Sequence, residues 1–319
     1  MIDGDTVDHV RRRLSKIARE WPALKEAALL RKAILPISAN AGHALTQQIS
    51  MSRDDARIRM EARLPLLHDI EMELDMEAVR SLMIQLSRAA EVISPESASR
   101  IRRNLENESL DLASLLSGII SGEEDAAVVA AHALQLDPGL LLVLAGQALK
   151  PSFHACHRQL TPVAEGIPWD EGYCFICGAH AVFGELRNGT QGKHLRCGRC
   201  GADWRYRRLQ CAHCGNDDYR TLRFIYSEDQ PERIHAEICD ECGLYLKIIT
   251  SASPVPCDLI EVEDLATLYV DYALKERGYA RPARLAGKLF NPYNQIDGEN
   301  NTISQPLYGR SNKGIRASH

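Results

Sequence analysis

The chain has 319 residues, 45% hydrophobic and 25% charged, the composition of a globular protein able to bury a sizeable core. Its formal net charge of -5 argues against binding nucleic acid through bulk charge, while leaving room for a local basic patch. The longest run free of acidic, basic and histidine residues, Pro138 to Leu149, falls well short of the roughly 20 apolar residues a membrane helix needs, and the opening residues hold no apolar run of the signal-peptide kind. The expected location is cytoplasmic, with no membrane insertion.

Residues 1–165 are predicted to form an α-helical domain. Val79, Leu82, Met83, Leu86 and Ala90 recur on one helical face, with Arg80, Gln85 and Arg88 off it. Ser94-Pro95-Glu96 and Asp137-Pro138 each join a capping side chain to a proline at the first helical position. Pro22 and Pro36 are expected to divide the opening into separate helices. The proline- and glycine-rich stretch Thr161-Pro-Val-Ala-Glu-Gly-Ile-Pro-Trp-Asp-Glu-Gly172 then marks a domain boundary.

Beyond it, short strand-like segments are expected at Ala181–Phe183, Lys193–Arg196, Trp204–Leu209, Thr221–Tyr226 and Leu244–Ile249. A last amphipathic helix from about Val262 to Arg277 falls in a C-terminal segment, 261–290. Residues 291–319 are rich in asparagine, glycine and serine and read as a polar, disordered tail. The fold class is multidomain α+β.

The cysteines carry the chemistry. None of the ten lies before Cys156, and eight form four pairs: Cys174-Phe-Ile-Cys177-Gly178, Cys197-Gly-Arg-Cys200-Gly201, Cys211-Ala-His-Cys214-Gly215 and Cys239-Asp-Glu-Cys242-Gly243. Such clustering in a reducing compartment points to metal ligation rather than disulfides, and no βαβ pattern supports a thioredoxin-like dithiol. In a metal knuckle two thiolates grip an ion from a tight turn, and glycine after the second cysteine takes positive φ without steric cost.

A tetrahedral site needs four ligands, so knuckles must pair. The gaps between successive pairs are 19, 10 and 24 residues. The longer gaps accommodate a hairpin that folds one knuckle onto the next, and the 10-residue gap suits a strand leading between sites. The expected groups are Cys174, Cys177, Cys197 and Cys200 in a module of about 173–208, and Cys211, Cys214, Cys239 and Cys242 in one of about 209–260. Interleaved pairing is the alternative. Four thiolates suit zinc, as a closed scaffold, or iron, which adds redox activity; spacing does not separate the two.

Other residues carry less. His154-Ala-Cys156-His157 has the look of a ligand cluster but lies near a helix end, where packing or surface roles are commoner. Cys257 reads as a small buried apolar residue. His194 and His213 sit where either could donate to a sulfur, and exposure is as good a reading. Arg205-Tyr-Arg-Arg208, with Lys193, Arg196 and Arg199 nearby, is compatible with a nucleic-acid surface. The preferred reading is that these cations offset tetrathiolate charge. No nucleophile elbow, phosphate loop or HExxH helix is present, so no enzymatic activity of its own is expected.

These residues resemble the formate dehydrogenase accessory protein family of the FdhE type. The likeness runs through the four knuckles in order, His194-Leu-Arg-Cys197 to Ala202-Asp-Trp204, Cys239-Asp-Glu-Cys242-Gly-Leu-Tyr-Leu-Lys247, Glu263-Asp-Leu-Ala-Thr-Leu268, Asp271, Gly278-Tyr-Ala-Arg281 and Asn291-Pro-Tyr293. It covers roughly residues 170–293, and the helical half matches only in general character. The resemblance implies a helical N-terminal domain followed by two rubredoxin-like, zinc-ribbon-like four-cysteine modules and a C-terminal helix. It also implies two metal ions per chain, with iron favoured over zinc, on the eight cysteines named above. The implied function is that of a cytoplasmic assembly protein required for active respiratory formate dehydrogenase, with the catalytic subunit as partner. The competing readings are a tandem zinc-ribbon adaptor for nucleic acid or protein, and a rubredoxin-like electron carrier.

Overall fold

A computed structural model describes residues 4–122, 124–187, 192–227, 230–282 and 315–318. Eight helices come first: α1 (Gly4–Glu20), α2 (Lys25–Asn40), α3 (Arg53–Glu61), α4 (Met76–Ala90), α5 (Pro95–Glu106), α6 (Leu112–Ser121), α7 (Glu124–Ala133) and α8 (Pro138–Ala164). Six strands follow, β1 (Ala181–Arg187), β2 (Lys193–Cys197), β3 (Asp203–Tyr206), β4 (Leu222–Ser227), β5 (Ile234–Cys239) and β6 (Tyr245–Ser251). Two short helices, α9 (Ile260–Ala266) and α10 (Leu268–Lys275), and a strand β7 (Ile315–Ser318) complete the order.

The helices form where apolar spacing and caps agree. On α4, Val79, Met83, Leu86 and Ala90 are buried, and Leu82 is half-buried against the same core. The Asp75 carboxylate accepts from the backbone N–H groups of Glu77 and Ala78 to start this helix, and Asp137 accepts from Leu140 at 2.7 Å to start α8. Ser94 makes no such bond, so α5 begins on Pro95 alone. Pro22 opens a short 3-10 turn between α1 and α2, as expected. Pro36 does not divide the chain: α2 runs through it to Asn40, and α8 likewise contains Pro151 and Pro162. Burial of Ile34 and Leu35 on one side of that proline outweighs the one backbone bond it removes.

The strands form one mixed sheet in the order β3-β2-β1-β6-β5-β4-β7. β1–β2–β3 is an antiparallel meander, β4–β5–β6 is a second, and the two join through parallel pairing of β1 with β6. Gly184 permits this junction, since a Cβ there would lie 2.5 Å from Ile248 Cδ1. The centre of the sheet therefore unites the two cysteine-bearing halves. Two expectations change. Sequence reading passed over β5, and the predicted helix Val262–Arg277 is broken. The buried Thr267 hydroxyl donates to the carbonyls of Glu263 and Asp264, which interrupts the helical ladder between α9 and α10. The tail predicted for 291–319 lies outside the described residues except for β7, which pairs antiparallel with β4.

Apolar packing crosses from the helices to the sheet in three places, one of them setting Val270 and Leu274 of α10 against Ile225, Ile234, Ala236 and Ile238. The largest core runs from α4, α5, α6 and α8 into Cys174, Ile176, Leu195, Cys197, Cys200 and Trp204. A second core sets Val10, Leu14 and Ile17 of α1 against Phe183, Ile249, Ile260 and Val262. The first helix thus packs on the C-terminal end of the described chain, where Trp21 stacks on Tyr269 with centroids 5.2 Å apart. Buried ion pairs fix α9 and α10 to the sheet: Lys247 meets Asp264 at 2.6 Å and Asp271 at 2.7 Å, and Arg281 meets Asp264 at 2.9 Å.

Candidate metal centres

All four cysteine pairs share one backbone conformation. In each, the N–H of the following glycine donates to the carbonyl of the first cysteine, at 2.9 to 3.1 Å for Gly178, Gly201, Gly215 and Gly243. The first cysteine's N–H donates in turn to the carbonyl five residues on, as from Cys174 to Ala179 and from Cys211 to Asn216. The four glycines have φ of +73, +79, +76 and +67°, the left-handed conformation that the pattern predicted. The turns aim backbone donors at sulfur: Arg199 N and Cys200 N each lie 3.4 Å from Cys197 Sγ, and His213 N lies 3.4 Å from Cys211 Sγ.

The sulfurs fall into two groups, Cys174 with Cys177, Cys197 and Cys200, and Cys211 with Cys214, Cys239 and Cys242, each with its Sγ atoms within 4.8 Å of one another. The grouping is sequential, not interleaved. Within the first group Cys174–Cys200 and Cys177–Cys197 stand 3.5 Å apart. In the second, Cys211–Cys242 and Cys214–Cys239 stand 3.8 and 3.7 Å apart. A tetrahedron with metal–sulfur bonds of about 2.3 Å has edges of about 3.8 Å, so both groups fit a four-coordinate ion.

A family model described as FdhE, C-terminal domain, matches residues 209–286, the second four-cysteine group and the helices after it. Protein FdhE of Escherichia coli O127:H6 is 35% identical over 111 residues, which are 34% of this chain and 35% of that protein. A protein FdhE homolog of Stutzerimonas stutzeri is 33% identical over 168 residues, 51% of this chain and 54% of the relative. The chain thus spans about a third to a half of the length of these curated relatives. The crystal structure of the FdhE protein from Pseudomonas aeruginosa superposes with a TM-score of 0.60 at 21% identity, over 88% of this chain and 95% of that one, and so has the same fold. The chain is thus similar to FdhE proteins in its C-terminal sequence and in its fold.

The two four-cysteine centres differ in setting. Cys174, Cys197 and Cys200 have no solvent exposure, and Cys177 is half-buried. The first knuckle is bonded to the helical region, its Phe175 and Ile176 carbonyls accepting from Leu66 N at 2.7 Å and Leu67 N at 2.9 Å. From the second knuckle, Arg199 caps α6 by donating to the Ile119 and Ile120 carbonyls at 2.8 Å, with its guanidinium over the Phe153 ring. The other centre is nearer solvent: Cys211 and Cys239 are buried, Cys242 is half-buried and Cys214 is exposed.

Protein groups alone do not ionise four neighbouring sulfurs. Burial pushes the Cys174 and Cys200 thiols well up. Against its own desolvation, Cys177 is held well down by hydrogen bonds from the other three and by the charge of Arg199. A hydrogen bond from Cys242 holds Cys211 down to about 5, whereas burial pushes Cys214 up to about 12. The same Cys211 bond pushes Cys242 up. A dication at the centre of each group would let all four sulfurs ionise, the state in which thiolates ligate.

The remaining candidates are placed differently from the sequence reading. His194 bonds Asp203 at 2.7 Å and not a sulfur, and the His213 ring bonds the Tyr245 carbonyl at 3.1 Å, leaving its backbone N–H to meet Cys211. His154, Cys156 and His157 form no joint ligand group among the described residues. His154 Nε2 instead lies 3.5 Å from Cys257 Sγ, so Cys257 has a partner and is half-buried. Burial keeps this pair neutral, with Cys257 pushed up to about 11 and His154 down to about 3. Of the basic cluster, Arg199 is placed to offset thiolate charge at Cys177. Lys193 pairs with Glu237 and Arg196 with Glu185, while Arg205, Arg207 and Arg208 face solvent.

Two outcomes follow for the four-cysteine centres. Elemental analysis is expected to give two ions per chain, and Cys174→Ala or Cys211→Ala is expected to leave one. Retention of two ions in either variant would contradict the ligand assignment. Gly201→Ala is expected to lower the urea midpoint more than Gly243→Ala. Both glycines have positive φ, at a cost of about 1–2 kcal/mol for alanine, but a Cβ at Gly201 would also lie 2.0 Å from Cys257 Sγ, whereas none is crowded at Gly243. Equal losses would contradict the packing of the second knuckle against Cys257.

Proposed function

We propose that the chain is a cytoplasmic accessory protein required for active respiratory formate dehydrogenase, acting in maturation and not as a catalyst. The observation that carries this reading is the joint presence of the helical region, two four-cysteine centres and the FdhE C-terminal region in one fold. In this reading the eight cysteines hold two ions, iron being the one the family resemblance implies. Closed four-sulfur sites leave no open coordination position for a substrate, in keeping with an accessory role.

The partner in this reading is the catalytic subunit of formate dehydrogenase. The helical region and the four-cysteine modules together offer it one continuous body, because knuckle carbonyls and Arg199 tie the first centre to the helices. Removing the ions would leave buried sulfurs without counter-charge and loosen that body. Affinity for the partner should therefore depend on bound metal.

The test is capture of the formate dehydrogenase catalytic subunit on the immobilised chain, before and after chelation. The subunit is expected to be retained by the metal-loaded chain and lost from the chelated one. No retention in either state would contradict the partner. An absorption spectrum of the same preparation tests the ion: ferric–thiolate charge transfer colours the protein, and a colourless, zinc-containing preparation would contradict iron.

A further inference from the structure

β3 is the outer strand of the sheet, and it pairs with β2 alone, whereas β4 at the other end is flanked by β7. Its register pairs Lys193 with Tyr206 and Leu195 with Trp204, and the bond from Cys197 N to Ala202 O continues that series as the hydrogen-bonded pairs. In an antiparallel ladder the intervening residues then turn their backbone groups outward. Asp203 and Arg205 thus present main-chain donors and acceptors away from β2.

That edge opens onto a groove of about 1180 Å³ between β3, the end of α8 and the segment 165–170. Met60, Phe175, Ile167 and Pro168 give the groove an apolar part. Arg158, Arg205, Arg207 and Arg208 also line it, and all four are exposed. None of the four makes an ion pair among the described residues. Of the acidic groups present, Asp203 is already engaged by Arg187 and His194, leaving Glu165 and Asp170. A chain of net charge -5 thus concentrates an excess of positive charge, four arginines against Glu165 and Asp170, beside an open strand edge.

We propose that this groove binds an extended, acidic segment of a partner protein. Its backbone would pair with the outer edge of β3, and its carboxylates would meet Arg158, Arg205, Arg207 and Arg208. Edge charges also deter pairing between copies of a chain, but Arg158 comes from α8 and contributes nothing to the edge itself. A single-stranded nucleic acid fits less well. Trp169 and Trp204 are 8% and 5% exposed, and their indole N–H groups are committed to the carbonyls of Tyr173 and Glu171, so neither ring offers a stacking face. The chain's own residues 283–319 do not complement the groove, since they hold Arg284, Lys288, Arg310, Lys313 and Arg316 against Asp297 and Glu299. The proposal stands apart from the identity of the metal and of the client.

The test is fluorescence anisotropy of the full metal-loaded chain with a labelled ten-residue peptide in which glutamate alternates with valine or threonine. Saturable binding that weakens with salt is expected. Arg158→Glu and the double variant Arg205→Glu/Arg208→Glu, on separate elements, should each raise Kd by roughly tenfold or more. Arg12→Glu, an exposed change on α1, should leave it unchanged. A peptide N-methylated at alternate residues should lose binding. Metal content and circular dichroism show whether each variant is folded. Unchanged affinity in both folded Arg variants, equal binding of a lysine-for-glutamate peptide, or undiminished binding of the N-methylated peptide would overturn the proposal. So would tighter binding of oligo(dT) than of the acidic peptide, or self-association of the chain that the same variants abolish.

Discussion

Four sulfurs held 3.5 to 3.8 Å from their neighbours form a constraint that side chains alone do not satisfy. As thiolates they would repel one another, and a central cation would offset that repulsion. The backbone is built for one: four superposable turns, each closed by a left-handed glycine, bring the sulfurs in from opposite sides. Most of the C-terminal half is arranged around these turns. The sheet strands begin or end at them, β2 at Cys197 and β5 at Cys239.

The two centres are mechanically joined yet chemically unequal. Tyr206 at the end of β3 donates to the Cys211 carbonyl at 3.0 Å, and the fully buried Lys193 reaches from β2 to Glu237 on β5 and to the Gln210 carbonyl at 3.0 Å. His180, just past the first knuckle, meets His213 of the third edge-to-face at 5.6 Å. Gly172 lets the linker cross the third knuckle, where a Cβ would collide with the Ala212 carbonyl. The first centre lies inside the main core and is bonded to the helices, whereas the second exposes Cys214. The first centre is therefore in direct contact with the helical region, while solvent reaches the second at Cys214.

Much of the site was legible in the sequence, because knuckles are local. Spacing and the unequal gaps favoured these two sulfur groups over interleaved pairing, and the terminal glycines pointed to the positive φ values. Long-range features were less legible. β5 has only Ile234, Ala236 and Ile238 on its apolar face, interleaved with His235 and Glu237, and the burial of Glu237 depends on Lys193, 44 residues away. The parallel β1–β6 junction and the packing of α1 on α9 have no local signal at all. Pro36 misled because a proline's local cost was weighed without the core that offsets it. The break at Thr267 coincides with a fully buried hydroxyl that bonds back to its own preceding turn. Arg199 was read as a cation that offsets thiolate charge, and it also joins the second knuckle to α6.

X-ray absorption at the edge of the bound metal tests the central claim most directly. If two groups of four thiolates each enclose an ion, the first shell will fit four sulfur atoms at about 2.3 Å with no lighter scatterer. A shell containing nitrogen or oxygen, or sulfurs found joined to one another with no ion between them, would contradict it.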